Sequence, residues 1–349
     1  CRLFTLTWRN SPVKERRLEE ILGRFAELRI LVVGDFFLDQ YLEIDPDLAE
    51  ISLETGLEAH QVVAVRNSPG AAGTVCSNLA ALGVGVRALG IIGRDGNGLE
   101  LLKGLQDRGV DTGLMVETLE RYTPAYLKPM RRTPGGAEEM NRLDIKNRTP
   151  TPEALQEEVI TRFGSALEGV QGVIIADQVE EDDHGVITSA VRSELERLAR
   201  AHEEKIFLAD SRAHIGAFQD VIIKPNEKEG MAAVRARGLD DPEYEELLGA
   251  LFSQTRKPVF LTCGERGIYV YDGVNIIHCP AIPVCGPIDI VGAGDSASAG
   301  IVSALCAGAN LEEAALVGNL CASVTIRKIG VTGTASPEEI RESFGRLQK

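Results

Sequence analysis

The stretch "DIVGAGDSASAG", residues 289–300, places Asp295 directly behind the turn Gly292-Ala293-Gly294 and in front of a run of small residues. Glycines at a helix start let several backbone N–H groups converge on one point, and the helix N-terminus favours negative charge, so the turn suits a phosphate. A carboxylate beside a phosphate is repelled by it, so a carboxylate at this position needs a functional reason. Accepting the proton of an attacking hydroxyl is such a reason. The stretch therefore favours phosphoryl transfer at the start of a tightly packed helix.

Two other interpretations of this turn compete with phosphoryl transfer. Gly292-x-Gly294-x-x-Ala297 also matches a relaxed dinucleotide-binding fingerprint, and an acidic pair at 312–313 lies near the expected offset. However, that fingerprint should open the first βαβ unit, and its acidic residue should end the second strand. This turn lies late in the chain, and Asn310-x-x-Glu313 marks the start of a helix, so the dinucleotide interpretation is disfavoured. A phosphate-binding loop of the Walker type is also absent, since the sequence contains no G-x-x-x-x-G-K-[ST] pattern. A glycine-rich turn that only caps a packed helix is the structural alternative.

Composition limits the class of protein. The 349 residues, with 44% hydrophobic and 26% charged side chains, are those of a globular α/β protein with one large domain and an appendage. A net charge of −15 argues against nucleic acid as a partner, because a phosphate backbone needs a basic surface. Seven cysteines without a C-x-x-C pair indicate reduced thiols and a cytoplasmic location rather than disulfides or a zinc site.

The ends and the hydropathy of the chain give further expectations. No apolar run approaches the roughly 18 residues that would span a bilayer, so no membrane association is expected. The opening residues lack the layout of a signal peptide, and the initial Cys suggests a truncated or processed end. From Val13 onward, apolar residues at helical spacing predict an amphipathic helix. Residues 1–28 are therefore interpreted as a leader with a helix, and residues 29–349 as the main domain.

Buried strands and helices alternate along that domain. Continuous apolar, β-branched runs favour parallel strands that are covered on both faces, and they lie at 29–35, 86–93, 172–177, 205–210, 221–226 and 259–264. Helical patterns fall at about 72–82, 98–108, 152–168, 185–201, 242–255, 295–307, 311–327 and 336–347. This order predicts a doubly wound, mostly parallel sheet in a three-layer α/β sandwich. Residues 36–66 and 121–146 break the alternation and predict extra strands that form a small β lid.

Polar residues end several of the predicted strands. The pattern places Asp35, Asp177, Asp210, Asn226 and Gly264 at such positions. In wound sheets the ligand lies outside the carboxyl ends of the strands, so these residues favour an active site at that edge. Taken singly, each of them is equally well explained as a turn or cap residue.

The stretch "DIVGAGDSASAGIVSALCAGANLEEA" resembles the C-terminal signature of the ribokinase/PfkB family of carbohydrate kinases. The resemblance continues through "VVGDFFLD", "PGAAGTVCSNLAALG", "IIGRDGNG", "IKPNEKE" and "TCGERG", in the family's order and spacing. The details are most similar to the heptose 7-phosphate kinase branch, which feeds ADP-heptose synthesis. The resemblance implies a ribokinase-like fold and the transfer of a phosphoryl group from ATP to a hydroxyl of a sugar or sugar phosphate. It implies Mg²⁺ as a cofactor and K⁺ as the monovalent cation that many members of the family use.

The same resemblance implies residue roles. For catalysis it implies Asp295 as the base and the amides of Gly292, Ala293 and Gly294 as the anion hole. For substrate binding it implies Asp35, Asp39, Gly70, Thr74, Lys128, Arg131 and Arg142, of which the last three are candidates for a phosphate on the substrate. For the nucleotide it implies Asn226, Glu229, Thr262, Gly264, Gly267 and Asn319. Glu229 would also order Mg²⁺ through water, and Asp289, with the backbone around Gly330, would form a monovalent-cation loop.

The chain departs from that branch at Ala71, at Thr74 and in the segment that begins at Asp177. Ala71 stands where the branch usually has glycine, and Thr74 stands where it has a substrate-binding asparagine. The segment "DQVEEDDH", residues 177–184, is more acidic than the branch's short turn and would repel an anionic substrate if it faced the site. A kinase for another sugar or nucleoside and a non-catalytic sugar or nucleotide sensor are therefore kept as alternatives. In this family lid strands often pair between subunits, which implies a homodimer.

Overall fold

The computed structural model describes residues 2–5 and 14–347, in which strands and helices alternate. The strands are β1 (Arg2–Thr5), β2 (Arg29–Gly34), β3 (Phe36–Ile44), β4 (Glu50–Ile51), β5 (Glu58–Ala59), β6 (Val62–Ala71), β7 (Gly85–Leu89), β8 (Ile91–Gly93), β9 (Val116–Thr118), β10 (Ala125–Thr133), β11 (Gly136–Glu139), β12 (Leu143–Ile145), β13 (Gly172–Asp177), β14 (Ile206–Ser211), β15 (Ile222–Ile223), β16 (Val259–Thr262), β17 (Ile268–Tyr271) and β18 (Asn275–Cys279). The helices are α1 (Glu15–Gly23), α2 (Ala72–Ala81), α3 (Gly96–Gln106), α4 (Glu153–Ala166), α5 (Ser189–Ala201), α6 (Glu227–Arg235), α7 (Tyr244–Thr255), α8 (Ala293–Cys306), α9 (Leu311–Thr325) and α10 (Pro337–Leu347).

Nine strands form the central sheet, in the order β1-β18-β17-β16-β15-β14-β13-β2-β7. Neighbouring strands are parallel except around β17, which runs antiparallel to both β16 and β18. Strands β2, β13 and β14 are buried along nearly their whole length, which accounts for their continuous apolar sequences. The predicted α/β fold with a mostly parallel sheet is confirmed.

Helices cover both faces of this sheet. On one face α2, α8, α9 and α10 bury residues such as Leu79, Ile301, Leu316 and Phe344. On the other face α4 to α7 bury Val159, Leu195, Val234 and Leu247. The result is the predicted three-layer sandwich. Because residues 296–304 of α8 are small or aliphatic and buried, α8 packs closely against its neighbours and holds its N-terminus at the sheet edge.

A second, small sheet consists of β11, β10, β3 and β6 in that order, with β12 paired to β10. Strands β3 and β10 are parallel, and the other pairs are antiparallel. The chain passes from the end of β2 directly into β3, and β6 leads directly into α2. A hydrogen bond from Ala72 N–H to the Asp35 carbonyl oxygen, 2.9 Å long, joins these two crossings. The small sheet therefore lies at the carboxyl ends of the central strands.

Several predicted elements differ from the structure. The predicted strand 86–93 is two strands, β7 and β8, which separate at Gly90. The predicted strand 221–226 is a regular strand only at Ile222 and Ile223, with a single further bridge at Asn226. The sequence patterns also missed α6, β17, β18 and β1, of which β1 pairs in parallel with β18. The amphipathic helix near the N-terminus is α1, while its predicted first residue, Val13, lies outside the described residues. Within residues 2–5 and 14–347, no helix is both long and apolar enough to cross a bilayer.

Candidate active site

A cleft of ≈ 290 Å³ separates the small sheet from the start of α8. Its lining comes from the small sheet and the segment beside it, from the turn before α8, and from the ends of central strands, and includes Phe37, Asp39, Tyr126, Lys128, Arg142, Gly292, Asp295, Gln178 and Arg212. A concave space that carries convergent polar groups between two sheets is the usual setting of a small-molecule site. Asp295 and the small sheet therefore face each other across a space that is suited to a small acceptor.

The turn before α8 leaves several backbone N–H groups open. Gly292 is the N-cap residue with φ of 78°, in the left-handed region that favours glycine. The Ala293 N–H donates to the Ile290 carbonyl at 3.2 Å, whereas those of Gly292, Gly294 and Asp295 donate to no backbone acceptor among the described residues. Open N–H groups at a helix start attract an anion. The Ala293 N–H is therefore already used in this structure, and its predicted part in the anion hole stays a prediction, whereas the open amides beside it are those of Gly292, Gly294 and Asp295.

A buried ion pair lies beside these open amides. Lys224 Nζ is 3.0 Å from Asp210 Oδ2, and the two side chains are only 3% and 10% exposed. The Ser298 hydroxyl in α8 donates to the same Asp210 oxygen at 2.9 Å. A Cβ atom on Gly294 would lie 3.7 Å from Lys224 Nζ. The ammonium group thus adds positive potential where a phosphate would meet the amides.

The site raises the pKa of Asp295. Burial at the bottom of the cleft, followed by the Asp210 carboxylate, raises the pKa of Asp295 to about 7, although Lys224 and Arg212 act in the opposite direction. Burial also works to lower the pKa of Lys224, but the Asp210 and Glu229 carboxylates outweigh it and raise that pKa. Asp295 therefore holds a proton weakly enough to exchange it near neutral pH.

Asn226 and Glu229 form a capping box at the start of α6. The Asn226 side chain accepts from the Glu229 N–H at 3.0 Å, and Glu229 Oε2 accepts from the Asn226 N–H at 2.8 Å. Burial and then the Asp210 carboxylate raise the pKa of Glu229. The N-x-x-E pair therefore has a structural role, and its predicted role with Mg²⁺ and nucleotide phosphates stays a prediction.

The other predicted nucleotide residues lie along one edge of the central sheet. The Thr262 backbone forms a bridge with Asn226. The turn at Gly264 leads to Gly267, whose carbonyl accepts from the Cys263 N–H at 2.8 Å. The Asn319 side chain donates to the Cys279 and Pro280 carbonyls at 2.9 and 3.0 Å, so it anchors the loop after β18. Their contact with a nucleotide stays a prediction.

Asp289 connects the loop before α8 to the segment after α9. Its carboxylate accepts from the Val291 N–H at 3.1 Å and the Gly330 N–H at 3.3 Å, while its own N–H donates to the Ile326 carbonyl at 2.8 Å. These bonds fix the start of the turn that carries Asp295. The predicted monovalent-cation loop has this frame, and its occupation stays a prediction.

Asp39 and Lys128 form an ion pair on the cleft face of the small sheet. Lys128 Nζ lies 3.0 Å from Asp39 Oδ1, and both side chains are 12% exposed. A Cβ atom on Gly70 would lie 2.8 Å from Asp39 Oδ2, so this glycine leaves room for the carboxylate. The structure thus brings three of the predicted substrate-binding residues together opposite Asp295.

The two predicted arginines of the small sheet differ in placement. Arg142 lines the cleft, where it stacks on Tyr126 at 4.1 Å and binds Asp144 through two hydrogen bonds of 2.6 and 2.9 Å. Arg131 lies three residues after Lys128 on β10, and side chains alternate between the faces of a strand. Arg131 is therefore on the face opposite Lys128, does not line the cleft, and its predicted substrate contact is not supported.

Asp35 is not part of the cleft that contains Asp295. Its carboxylate accepts from the N–H groups of Val186, Gln178 and Val179 at 2.7, 2.8 and 3.1 Å. Burial, followed by the Asp177 carboxylate, raises the pKa of Asp35 to about 6. Asp35 therefore fixes the segment that follows β13 and lines a second, smaller cavity, and its predicted contact with the acceptor stays a prediction.

Two of the three departures from the heptose kinase pattern, Ala71 and Thr74, line the cleft. Ala71 has φ of 53° and ψ of −121°, a backbone conformation that is strained for any residue except glycine. The Thr74 hydroxyl donates to the Pro69 carbonyl at 3.4 Å, and its methyl group would lie 3.5 Å from a Cβ atom on Gly292. Thr74 thus turns an apolar group toward the turn, where asparagine would offer an amide.

Two functional candidates, Lys224 and Arg212, were missed in the sequence. Arg212 follows β14 directly, lines the cleft, and its side chain forms no hydrogen bond or ion pair with any residue that the structure describes. The signal that could have found both was their position at strand ends, next to Asp210 and before Asn226. Both were passed over because a basic residue at such a position is not by itself a motif.

A wound α/β sandwich, with a second sheet over the strand ends and a carboxylate behind open amides between them, defines a kinase of the ribokinase fold. Solved structures with this fold include phosphofructokinase-2 from Escherichia coli in complex with potassium, with a TM-score of 0.71 and 20% identity over 92% of this chain and 100% of that one. Ribokinase from Thermotoga maritima has a TM-score of 0.67 and 19% identity over 91% and 99%. The family model for pfkB family carbohydrate kinases matches residues 32–339, and the chain belongs to this family.

Curated relatives narrow the comparison within the family. The bifunctional protein HldE of Trichlorobacter lovleyi is 28% identical over 93% of this chain, and that of Hyphomonas neptunium is 30% identical over 94%. This chain spans only 64% and 66% of the length of these two relatives.

Proposed function

We propose that this chain transfers the terminal phosphoryl group of ATP to a hydroxyl of a sugar phosphate, with heptose 7-phosphate as the favoured acceptor. The observation that carries the proposal is the placement of Asp295, a carboxyl with a pKa of about 7, beside open amides and Lys224 in the cleft under the small sheet. The relatives named bifunctional protein HldE support the heptose assignment.

Each residue has a defined task in this proposal. Asp39 and Lys128 orient the acceptor so that one hydroxyl lies against Asp295. Asp295 accepts the proton of that hydroxyl as the oxygen attacks phosphorus, late in a loose transition state. The amides of Gly294 and Asp295, with the Lys224 ammonium, stabilise the charge on the migrating group. Positioning and electrostatics then supply most of the rate enhancement.

The cofactors follow from the same site. Mg²⁺, held through water by Glu229 and by the nucleotide phosphates, would neutralise phosphate charge and orient the leaving group. The fit of Mg²⁺ to the site rests on Glu229. Its carboxylate lies close enough to Asp210 and Lys224 for their charges to change its pKa. One of its carboxylate oxygens is used in the capping box. A monovalent cation such as K⁺ would lie in the loop framed by Asp289 and Gly330.

The test is ADP release by the purified protein with ATP, Mg²⁺ and a panel of free and phosphorylated sugars. We expect D-glycero-D-manno-heptose 7-phosphate to accelerate ADP release at least about 100-fold over ATP alone, because the acceptor hydroxyl outcompetes water when it is positioned. A kinase for another sugar, which Ala71 and Thr74 leave open, would respond to another member of the panel. A non-catalytic sensor would bind ligands, but no member of the panel would accelerate ADP release.

We also propose that the chain forms a homodimer through the small sheet. Strand β6 is an edge of this sheet, and the residues from Leu48 to Val65 include exposed apolar side chains, among them Ile51 at 66%, Leu53 at 103% and Val65 at 55%. Unpaired edges and apolar patches of this kind attract a partner strand or sheet.

Sedimentation velocity tests the dimer with one charged substitution. We expect the native chain to sediment as a dimer and Val65→Lys as a monomer, because a lysine on β6 would place a charge inside the apolar contact. Val274→Lys is the matched control, since Val274 is 69% exposed in the turn between β17 and β18, away from the small sheet. A native monomer, or a dimer that survives Val65→Lys unchanged, contradicts this arrangement.

A further inference from the structure

The main cleft continues into a second, smaller cavity of ≈ 40 Å³. Four residues, Phe37, Tyr126, Gln178 and Arg212, line both spaces. Arg212 therefore lies at the junction, where a ligand in the main cleft can extend a substituent toward the smaller cavity.

The wall of the smaller cavity is held by many hydrogen bonds. Asp35 accepts three backbone N–H bonds from residues 178, 179 and 186. From the other side, the Arg121 guanidinium donates to the carbonyls of Thr149, Pro150 and His184. Because both ends of the segment are fixed, the cavity is a preformed feature rather than a gap between mobile loops.

Some acidic residues of this segment accept hydrogen bonds from their neighbours, while Glu180 and Glu181 line the smaller cavity. Asp177 accepts from the Ser211 hydroxyl at 2.6 Å and lies 3.1 Å from His214 Nδ1, and Asp182 lies 3.0 Å from His214 Nε2. The Asp183 carboxylate accepts the Ser189 N–H at 2.6 Å. These contacts reduce the repulsion that Asp177, Asp182 and Asp183 would exert on an anionic ligand. The Glu181 carboxylate lies 3.9 Å from Arg148 Nη1, and Glu180 stays on the cavity wall.

The cations that face the two spaces fall into two groups. Lys128 and Arg142 are paired with Asp39 and Asp144, and Arg121 donates to three carbonyls, so these three are less available to an anionic group, although Lys128 can still contact a neutral hydroxyl. In contrast, the side chains of Arg212 and Lys146 form no ion pair or hydrogen bond with any residue in 2–5 or 14–347. An unpaired guanidinium beside a preformed cavity suits a phosphate or carboxylate, which it can bind through two parallel hydrogen bonds.

We infer that Arg212, assisted by Lys146, binds a terminal anionic group of the acceptor at the junction of the two cavities and so selects acceptors. The inference rests on the proposed function, because it assigns the far end of the same acceptor whose hydroxyl lies at Asp295. A phosphate ester and a carboxylate share the required chemistry. The acceptor is thus a sugar with an acidic group at the end remote from the reacting hydroxyl.

The test measures acceptor selectivity in ADP release. Acceptors that differ only in the terminal group are compared: D-glycero-D-manno-heptose with its 7-phosphate, and glucose with glucose 6-phosphate and gluconate. We expect Arg212→Gln to lower the ratio of kcat/KM for the charged over the neutral acceptor about 30-fold, mainly through KM, since truncating one partner of a charged pair costs at least about that factor. Arg212→Lys should recover part of the ratio, Lys146→Gln should lower it less, and the surface variant Arg197→Gln should keep it.

Each remaining outcome is decisive. If Arg212→Gln lowers kcat/KM equally for charged and neutral acceptors, or if the native chain does not prefer a charged acceptor, the inference is overturned while the proposed function stands. If no sugar accelerates ADP release by the native chain, the proposed function fails first, and the inference fails with it. The phosphate and carboxylate members of the glucose set show which anionic group the junction prefers.

Discussion

Asp295→Asn is expected to lower kcat for acceptor phosphorylation by about three orders of magnitude, while the fold and the affinity for ATP are retained. The amide has nearly the size and shape of the carboxyl but cannot take up the proton of the attacking hydroxyl. The amides of Gly294 and Asp295 and the Lys224 ammonium are unaffected, so the phosphoryl group is still held. Single-turnover ADP release and nucleotide titration measure the two properties separately.

The control for this variant is Asp272→Asn, at an aspartate in the turn between β17 and β18 that is not in the cleft. It removes the same charge and should leave kcat unchanged. A turnover in Asp295→Asn that stays within tenfold of the native value would mean that another group, or none, accepts the proton.

The raised pKa of Asp295 also sets the pH dependence of both rate and stability. Because the base must be unprotonated, kcat/KM should fall about tenfold per unit as pH drops below about 7, and this limb should vanish in Asp295→Asn. The folded-state pKa lies above the unfolded value of 3.8, so the folded chain binds the proton more tightly between these two values. Through Asp295, stability therefore declines as pH rises from about 4 to 7, and Asp295→Asn should melt at least as high as the native chain at pH 8.

The sequence predicts the fold correctly where an element is fully buried, because full burial requires apolar residues at every position. Strands β2, β13 and β14 are buried on both faces, so their sequences are continuous apolar runs that no other element explains well. Strands β17 and β18 have mixed burial and lie toward the sheet edge, and α6 is a short helix whose only sequence signal was the pair Asn226 and Glu229. Those elements depend on tertiary contacts that the local pattern does not contain.

Some features of the candidate site also follow from the local sequence, whereas others depend on tertiary contacts. The position of Asp295 follows from the local sequence, because the turn, the carboxylate and the helix are contiguous. Whether a charged side chain is free to bind a ligand does not follow, because its partner is distant in sequence: Lys128 pairs with Asp39, 89 positions away, and Lys224 pairs with Asp210 across two strands. The roles predicted for Arg131 and Ala293 depend on features that the residue types do not show: the face of β10 on which Arg131 lies, and the Ile290 carbonyl that accepts from the Ala293 N–H.

The buried pair of Lys224 and Asp210 allows stability to be separated from phosphate binding. Lys224→Met would leave Asp210 buried without its counter-charge, and breaking such a pair costs about 3–5 kcal/mol. The double variant Lys224→Met/Asp210→Asn removes both charges, so most of that loss should be recovered. Urea unfolding followed by circular dichroism measures the free energies of unfolding of the two variants.

Activity should not recover with stability. The Lys224 ammonium is the charge beside the open amides, and nothing in the double variant replaces it for the migrating phosphoryl group. We therefore expect kcat/KM for ATP to stay about 10²- to 10³-fold below the native value in both variants, the range found when one electrostatic stabiliser of a transition state is removed. If the stable double variant regains turnover within tenfold of the native chain, Lys224 only compensates Asp210 and has no direct part in catalysis.

The pH profile gives an independent check on the same pair. Lys224 lowers the pKa of Asp295 and Asp210 raises it. In Lys224→Met the acid limb of kcat/KM should move to higher pH, because the stabilising cation is lost and the repelling carboxylate remains. In the double variant both influences disappear, so the limb should return toward its native position while the plateau stays low. A limb that does not move in Lys224→Met would show that the ammonium and Asp295 are not coupled, and it would place Lys224 outside the reacting centre.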